Sequence, residues 1–313
     1  MKQKMINASH IEGKLYNHDL TIKVTGKDSK APGTEFISGN IEIATDDAGI
    51  NIVPVHFTYV TATTAKGKTN ATYGVLKNII DKVYKTVMED GADKATMFRI
   101  DSAIDLNEFY SDRNGEEELV SVKRNEGGFV HVTSELEANE NKRNTFECDI
   151  IITNVRHIEE DEEKNLPEKA IVKGAIFNFR KELLPVEFSV VHPAAIEYFE
   201  DLGASNGNPI FTKIRGNQIS ESIVRRIEEA SAFGGEPSIK EYKNTRKDFV
   251  ITWAMEYPYD WDDESTITAV ELKEAMANRE IKLAEIKKRR DEYKASQGAG
   301  SASAAPAAGA FNF

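Results

Sequence analysis

Two segments of this 313-residue chain repeat one pattern of strand residues, and this repeat constrains the fold most strongly. The first copy covers residues 36–43 and 53–60, and the second covers 171–178 and 184–191. Each copy begins with a hydrophobic-x-Gly-x-Ile strand and continues with a strand that reads apolar-Pro-Val-x-Phe-x-x-Val. Because the order and the spacing agree, the pattern indicates a duplicated β-rich module.

The elements around the two copies also follow one order. The predicted opening strands are 11–24 and 146–158, the helices are 72–83 and 193–203, and the later strand pairs are 96–100 with 104–106 and 210–214 with 218–219. Each module therefore has three strands, a helix and two further strands. This is the element order of the OB-fold, a five-stranded Greek-key barrel.

The sequence thus predicts a mainly β (α+β) protein with two OB-fold-like five-stranded barrels in tandem. We assign residues 1–140 to the first OB-like domain and 141–262 to the second. Apolar residues at helical spacing predict a C-terminal helix within 263–295. Residues 296–313 consist mostly of Gly, Ser, Ala and Pro, which predicts a disordered tail.

Motifs for catalysis and metal binding do not fit this sequence. Gly67-Lys68-Thr69 looks like the end of a phosphate-binding loop, but Ala62 stands where that motif requires a glycine. The six histidines are not at metal-ligand spacing, and Cys148 is the single cysteine. We therefore expect a protein that is not an enzyme and that uses neither a metal nor a cofactor.

The apolar pattern, the cysteine count and the charge bear on the cellular location and on possible partners. No run approaches the roughly 18 apolar residues that a membrane span needs, so we expect no membrane partner. The single cysteine fits a reducing compartment, which predicts a cytoplasmic protein. The net charge of −12 repels phosphate unless cations gather locally.

In the second module, strand alternation predicts outward-facing aromatic rings beside cations. Rings that stack on bases and cations that contact phosphates are what a single-strand binding groove needs. The candidate nucleic-acid-binding residues here are Phe177, Phe179, Arg180, Lys181, Lys213 and Arg215. The alternative is that the two phenylalanines pack against the other domain or the C-terminal helix, and that the cations form an ordinary solvated face.

The first module offers a second set of candidate residues. Alternation places His56 on the outer side of its strand, because Val55 and Phe57 take core positions. Lys66, Lys68 and Tyr73 lie around a hairpin tip, where OB-folds often hold a strand. A mobile tip without a ligand is the alternative.

Three stretches resemble a known protein family. Residues 37–43, 53–57 and 242–250 are similar to bacteriophage and prophage proteins of Gram-positive bacteria that are often described as single-stranded DNA-binding. The resemblance covers most of residues 9–295 and rests on structural motifs. It implies sequence-tolerant binding of single-stranded DNA in phage replication or recombination, and the host cytoplasm as the location if the gene belongs to a phage.

The resemblance also implies a role for the C-terminus. Phe311 and Phe313 match the aromatic ends through which such proteins recruit replication or recombination partners. The stretch before them has no acidic residues, unlike the tails of bacterial and phage single-strand binders.

Other functions stay open on the sequence alone. A non-enzymatic scaffold that presents the duplicated barrels to protein partners is the main alternative. An accessory subunit of a nuclease or polymerase is another. The sequence is also compatible with a homo-oligomer.

Overall fold

A computed structural model describes residues 5–27, 29–113, 116–160, 167–229, 238–261 and 267–300, with backbone alone at 113, 222–229, 238–245 and 296–300. The strands are β1 (Asn7–His18), β2 (Thr21–Val24), β3 (Glu35–Ala44), β4 (Ile52–Thr61), β5 (Met97–Arg113), β6 (Glu116–Val132), β7 (Asn144–Ile158), β8 (Lys169–Phe177), β9 (Leu183–Val190), β10 (Ile210–Glu229) and β11 (Ser238–Ala254). The helices are α1 (Ala71–Ile80), α2 (Val87–Asp90), α3 (Pro193–Asp201) and α4 (Ala269–Gly300). The prediction of a mainly β chain with a C-terminal helix is confirmed.

Five strands of the first half close into a ring, which we call the first ring. Its antiparallel neighbours are β1 with β3, β3 with β4, β6 with β5 and β5 with β1. A short parallel pairing between β4 and β6 closes the circle. Helix α1 lies between β4 and β5 in the chain.

The first ring folds around the apolar residues that the alternation of its strands directs inward. Ile41 pairs with Val55, and both side chains are fully buried. Leu76 and Ile79 of α1 pack into the same core, because three residues separate them on one side of the helix. The helix therefore covers an opening of the ring with its apolar side.

The second half repeats this arrangement in a second ring. Here β7 pairs with β8, β8 with β9, β11 with β10 and β10 with β7, and a parallel bridge joins β9 to β11. Its core contains Phe146, stacked on Phe188 with ring centroids 5.1 Å apart, and Phe249. Helix α3 lies between β9 and β10, in the place that α1 has in the first ring.

The two rings share one continuous sheet. Strands β1 and β7 pair antiparallel over Asn7–Ile11 and Asn144–Cys148. A buried pair of amides adds a second link, because Asn125 Nδ2 donates to Gln218 Oε1 at 2.7 Å and Gln218 Nε2 donates to Asn125 Oδ1 at 3.0 Å. The rings are thus joined by backbone and side-chain hydrogen bonds.

The last two strands of each ring are longer than the sequence predicts. The predicted pairs 96–100 with 104–106 and 210–214 with 218–219 are single strands, β5 and β10. We call β5–β6 the first hairpin and β10–β11 the second hairpin. Ile104 is fully buried in the core of the second ring, and Leu106 packs against that core. Strand β5 extends past residue 100 because its C-terminal half packs against the second ring.

The opening strand is shorter than predicted. Residues 11–24 divide into β1 and β2, since the chain turns at Asp19 and Leu20. The Asp19 backbone N–H donates to the Asn40 carbonyl oxygen at 3.0 Å, and Asp19 Oδ2 accepts from Asn40 Nδ2 at 2.8 Å. Strand β2 then adds to β3 at the end of the sheet.

Helix α4 packs on the second ring by its first turns. Leu272 and Ala275 contact a cluster that contains Phe177, Phe211 and Ile267. The helix continues to Gly300, beyond residue 296 where the sequence predicts that disorder begins, because adding a residue to a formed helix costs less than starting a new one. Residues 301–313 lie outside the described residues, and the predicted partner-binding Phe311 and Phe313 lie among them. No helix within the described ranges is long and apolar enough to cross a membrane.

Candidate binding face

One surface of the first ring carries side chains that alternate with its core residues. Ile41 and Val55 point inward, so the adjacent Asn40 and His56 point outward. Strand register pairs these two residues, and His56 Nδ1 lies 2.9 Å from Asn40 Oδ1. This surface, which we call the candidate face, consists of Lys23, Phe36, Asn40, His56, Thr58, Tyr59 and Arg124.

A β-bulge brings two aromatic rings together on the candidate face. The register between β3 and β4 shifts between Ile37 and Gly39, so that β4 has one more residue than β3 at that point. The shift puts Tyr59 on the same side as Phe36, with ring centroids 4.6 Å apart and planes inclined by 41°. Tyr59 stays 48% exposed. The two rings thus form an aromatic surface that solvent reaches.

Two cations border this aromatic pair. Lys23 of β2 pairs with Phe36 in the sheet, and its Nζ lies 3.4 Å from Ser38 Oγ. Within the described parts of the chain, Lys23 makes no ion pair. Arg124 of β6 approaches from the other side and pairs with Glu126 at 2.8 Å. Lys23 is therefore the cation of this face that a phosphate can reach without displacing a carboxylate.

His56, which the sequence predicts as a contact residue, is half-buried on the candidate face. Burial lowers the pKa of His56, and the positive charge of Arg124 lowers it further. The imidazole is therefore neutral at pH 7. Because the amide oxygen of Asn40 can only accept, His56 Nδ1 donates to it and leaves Nε2 as an acceptor.

The loop after β4 places two predicted lysines at the aromatic end of this face. Thr61, the last residue of β4, pairs with Phe36, and the chain then turns through Lys66 and Lys68. Both lysines are exposed, and Gly67 supplies the positive φ of 73° that the turn needs. The loop that carries these cations thus begins next to the Phe36–Tyr59 pair.

Tyr73, the fourth predicted residue of the first module, lies at the same end. Its hydroxyl donates to Glu35 Oε1 at 2.5 Å, and this hydrogen bond raises the pKa of Tyr73. Glu35 directly precedes Phe36 in β3. Tyr73 therefore borders the candidate face, with its hydroxyl held by a carboxylate.

The prediction that Phe177 faces solvent is wrong. Phe177 is 2% exposed and packs in a cluster with Phe211 and Ile267, against the first turns of α4. Alternation directs Ile176 into the core of the second ring, but the opposite side of β8 is covered at this point, so both neighbours are buried. The ring of Phe177 cannot stack on a base in this arrangement.

Phe179, Arg180 and Lys181 form the turn between β8 and β9. Phe179 is 82% exposed, and both cations are exposed as well. The turn is ordered by Asn178 Oδ1, which accepts from the Arg180 backbone N–H at 2.9 Å, and Lys181 takes a positive φ of 63°. These residues belong to the second ring, so the structure does not bring them to the candidate face.

Lys213 and Arg215 share a face of β10, but both are paired with carboxylates. Arg215 Nε lies 2.8 Å from Glu147, and Lys213 Nζ lies 3.6 Å from the same side chain. The Arg215 guanidinium also lies 4.6 Å from the centre of the Trp253 ring. Phosphate contact at these cations would compete with Glu147.

The first hairpin lies against the second ring at β9. Glu187 stands in the second copy where His56 stands in the first, and Lys123 of β6 donates to the Glu187 carbonyl oxygen. Lys123 Nζ also lies over the rings of Phe188 and Phe249, at 4.4 and 4.2 Å from their centres. Burial lowers the pKa of Lys123 to about 8. The hairpin thus covers the aromatic core of the second ring, whereas the outward-facing side chains of Lys173 and Glu187 stay 57% and 54% exposed.

Sequence reasoning missed the residues that build the candidate face around His56. Lys23, Phe36, Tyr59 and Arg124 are not among the predicted contact residues. Regular alternation gives Tyr59 the inward side that Val55 and Phe57 take, and only the bulge reverses it. Arg124 reaches the face through the pairing of β6 with β4, which joins residues far apart in the sequence.

Comparisons with known proteins give a family and similar solved structures. The model of the YorF family matches residues 6–289. A crystal structure of a deletion mutant of the single-stranded DNA-binding protein from Thermus aquaticus is similar, with a TM-score of 0.45 and 10% identity, over 83% of this chain and 98% of that one. No curated protein sequence matches the chain.

Proposed function

The chain belongs to the YorF family, and we propose that it binds single-stranded DNA, with little sequence preference, on the candidate face of its first ring. The observation that carries the proposal is the Phe36–Tyr59 pair, in which Tyr59 is exposed and Phe36 half-buried, next to Lys23 and the start of the loop of Lys66 and Lys68. Bases of any sequence stack on aromatic rings, and cations next to the rings contact the phosphates.

The proposal includes the fold type of the two rings. The order of pairing around each ring, first strand, second, third, fifth and fourth, with a helix between the third and fourth strands, is what an OB-fold has. We extend this assignment to both rings and keep residues 1–140 and 141–262 as their domains. In OB-folds the second and third strands carry the ligand face, and here these strands are β3 and β4.

The aromatic pair favours the first ring as the binding ring. In the second copy of the repeat, Ile171 and Val190 stand where Phe36 and Tyr59 stand in the first, so the second ring has no matching aromatic pair. Phe179, Arg180 and Lys181 then form a secondary contact at the β8–β9 turn.

The chemistry needs no catalytic group. Base stacking and phosphate contacts hold the strand, and the net charge of −12 makes the balance depend on local cations and on salt. A place in phage DNA replication or recombination, and recruitment of partners by Phe311 and Phe313, rest on the sequence resemblance alone.

Fluorescence anisotropy of labelled oligo-dT, repeated with duplex DNA and across a salt series, tests the proposal. We expect binding to the single strand that weakens steeply with salt, because counterions are released. Tyr59→Ala and Phe36→Ala should each weaken binding by roughly 5- to 100-fold, the range expected for loss of one base stack. Phe129→Ala, which removes another ring that is 70% exposed, is the matched control and should bind like the wild type.

Two outcomes would contradict the proposal. Without binding at low salt, or with equal losses for Tyr59→Ala and Phe129→Ala, the candidate face is not a DNA surface. The non-enzymatic scaffold would then be preferred. One observation favours it, namely an apolar cleft between α3 and β11 that is lined by Val191, Ala195 and Trp253.

A further inference from the structure

Helix α4 is attached to the rest of the protein in two different ways. Its first turns bury Leu272 and Ala275 against the second ring. One turn further on, Arg279 forms a buried ion pair with Glu108 of the first hairpin, whose side chain is 2% exposed, and donates to the Leu183 carbonyl oxygen at 3.1 Å. Up to this point the helix is held by packing and by buried hydrogen bonds.

Beyond that point, ion pairs attach the helix. Lys282 lies 2.9 Å from Glu182, and three later cations pair with residues 112 and 117 of the first hairpin. Lys287 lies 2.6 Å from Glu117, Lys294 lies 2.5 Å from Asp112, and Arg290 contacts both carboxylates. Positions 287, 290 and 294 are three and four residues apart, so these cations share one side of the helix. Three cations are thus shared between two carboxylates.

Most of these groups are in contact with solvent. The side chain of Asp112 is 53% exposed, and those of Lys287 and Lys294 are each 50% exposed, whereas Arg290 is 13% and Glu117 29% exposed. The exposed pairs of Lys287 and Lys294 add little to stability and weaken as salt is added. The distal part of α4 is therefore held by contacts that another polyanion can replace.

The pairing also resembles phosphate recognition. Asp112 and Glu117 come from one hairpin, and together they bridge three cations on a helix. Their two negative charges resemble those of successive phosphates in a nucleic acid strand. Arg290 is well placed for this exchange, because an arginine fork binds a carboxylate or a phosphate with the same geometry.

We propose that Lys287, Arg290 and Lys294 form a second phosphate-binding surface for single-stranded nucleic acid, which Asp112 and Glu117 occupy in the free protein. The inference rests on the proposed function and adds a regulated contact to it. A bound strand displaces the two carboxylates, and the distal part of α4 then holds the strand. The buried Arg279–Glu108 pair stays closed and acts as the fixed point of this movement.

The double variant Asp112→Asn/Glu117→Gln tests the inference, because it removes the competing charges and keeps the side-chain sizes. We expect tighter binding of oligo-dT at low salt and a steeper salt dependence, by about 0.7 in the logarithmic slope for each additional phosphate that the protein neutralises. The matched control is Glu285→Gln/Glu292→Gln, which changes the net charge equally but removes only pairs within the helix.

A second pair of variants tests whether the α4 cations cause the tighter binding. In the Asp112→Asn/Glu117→Gln background, Lys287→Ala/Lys294→Ala should abolish the increase in affinity. Lys288→Ala/Arg289→Ala removes the same charge from residues that pair only within the helix, and it should leave most of the increase. Equal losses in the two variants would overturn the inference.

The outcomes also separate this inference from the proposed function. If the wild type does not bind oligo-dT at low salt, both fail. If Tyr59→Ala weakens binding but Asp112→Asn/Glu117→Gln behaves like its charge-matched control, only the α4 surface is refuted.

Discussion

Lys123 Nζ lies 4.2 Å from the centre of the Phe249 ring, although Lys123 belongs to the first hairpin and Phe249 to the second ring. The same ammonium lies 4.4 Å from the Phe188 ring. A residue from one half of the chain thus covers the aromatic core of the other half. The two halves are therefore expected to stabilise each other and to unfold together.

A variant at Lys123 should change how stability depends on pH. Burial lowers the pKa of Lys123 to about 8, below the value of about 10.4 in the unfolded chain. The unfolded chain binds more protons between about pH 8 and 10, so the free energy of unfolding at this site rises with pH in that window. Below pH 8 the buried charge costs up to about 3 kcal/mol.

We therefore expect Lys123→Met to be more stable than the wild type at pH 7, and this advantage to shrink by pH 10. Urea denaturation at both pH values measures it. Lys66→Met, at an exposed position, is the matched control for the loss of one charge. An advantage of Lys123→Met that does not change with pH would show that the Lys123 ammonium is not buried.

The buried amide pair between the rings predicts a coupling energy. Gln218→Leu leaves Asn125 with unmet hydrogen-bonding groups in a buried position and should cost about 1–3 kcal/mol. In the double variant Asn125→Leu/Gln218→Leu the loss should be smaller than the sum of the single losses. Chemical denaturation of the four proteins measures this. Additive losses would mean that the two amides do not interact.

Because Phe177 is buried and Phe179 is exposed, their substitution should affect stability differently. Phe177→Ala should lower the free energy of unfolding by about 3–5 kcal/mol, because it leaves a cavity in the cluster beside α4. Phe179→Ala, at an exposed turn, should change it by less than about 0.5 kcal/mol. Thermal unfolding compares them directly. Equal stability of the two variants would contradict the burial of Phe177.

Gly174, in the repeated hydrophobic-x-Gly-x-Ile pattern, should not tolerate a side chain. A Cβ atom built there would lie 2.3 Å from the Ile151 carbonyl oxygen, so β7 and β8 would have to separate. We expect Gly174→Ala to cost at least about 1–3 kcal/mol, as overpacking does. Gly207→Ala is the control, since nothing lies within 4 Å of its Cβ position. Urea midpoints that agree between the two variants would refute this close approach.

Both halves share a further detail that supports duplication. Arg99 pairs with Glu12 at 2.9 Å across β5 and β1, and Arg215 pairs with Glu147 at 2.8 Å across β10 and β7. These strands hold the same places in their rings. The sequence repeat was detectable in the second and third strands, but this cross-strand pair became visible only when the strands were aligned in space.

The candidate face was predictable only in part. The sequence was enough to identify His56 and the loop of Lys66 and Lys68 as candidates, because strand alternation and turn residues depend on near neighbours in the chain. The aromatic pair was not identifiable, because the bulge that turns Tyr59 toward Phe36 depends on the register between two strands.

Local residue patterns were enough to predict the type and the order of most elements. Residue spacing sets strand and helix periodicity, and the repeated glycine and proline positions mark equivalent strands. Packing between distant segments determines how far β5 and β10 extend, that Phe177 is buried, and that Lys123 lies over the aromatic core of the second ring. These outcomes depend on contacts such as Lys123 with Glu187 and Arg279 with Glu108. Such contacts join distant parts of the chain, and no local pattern encodes them.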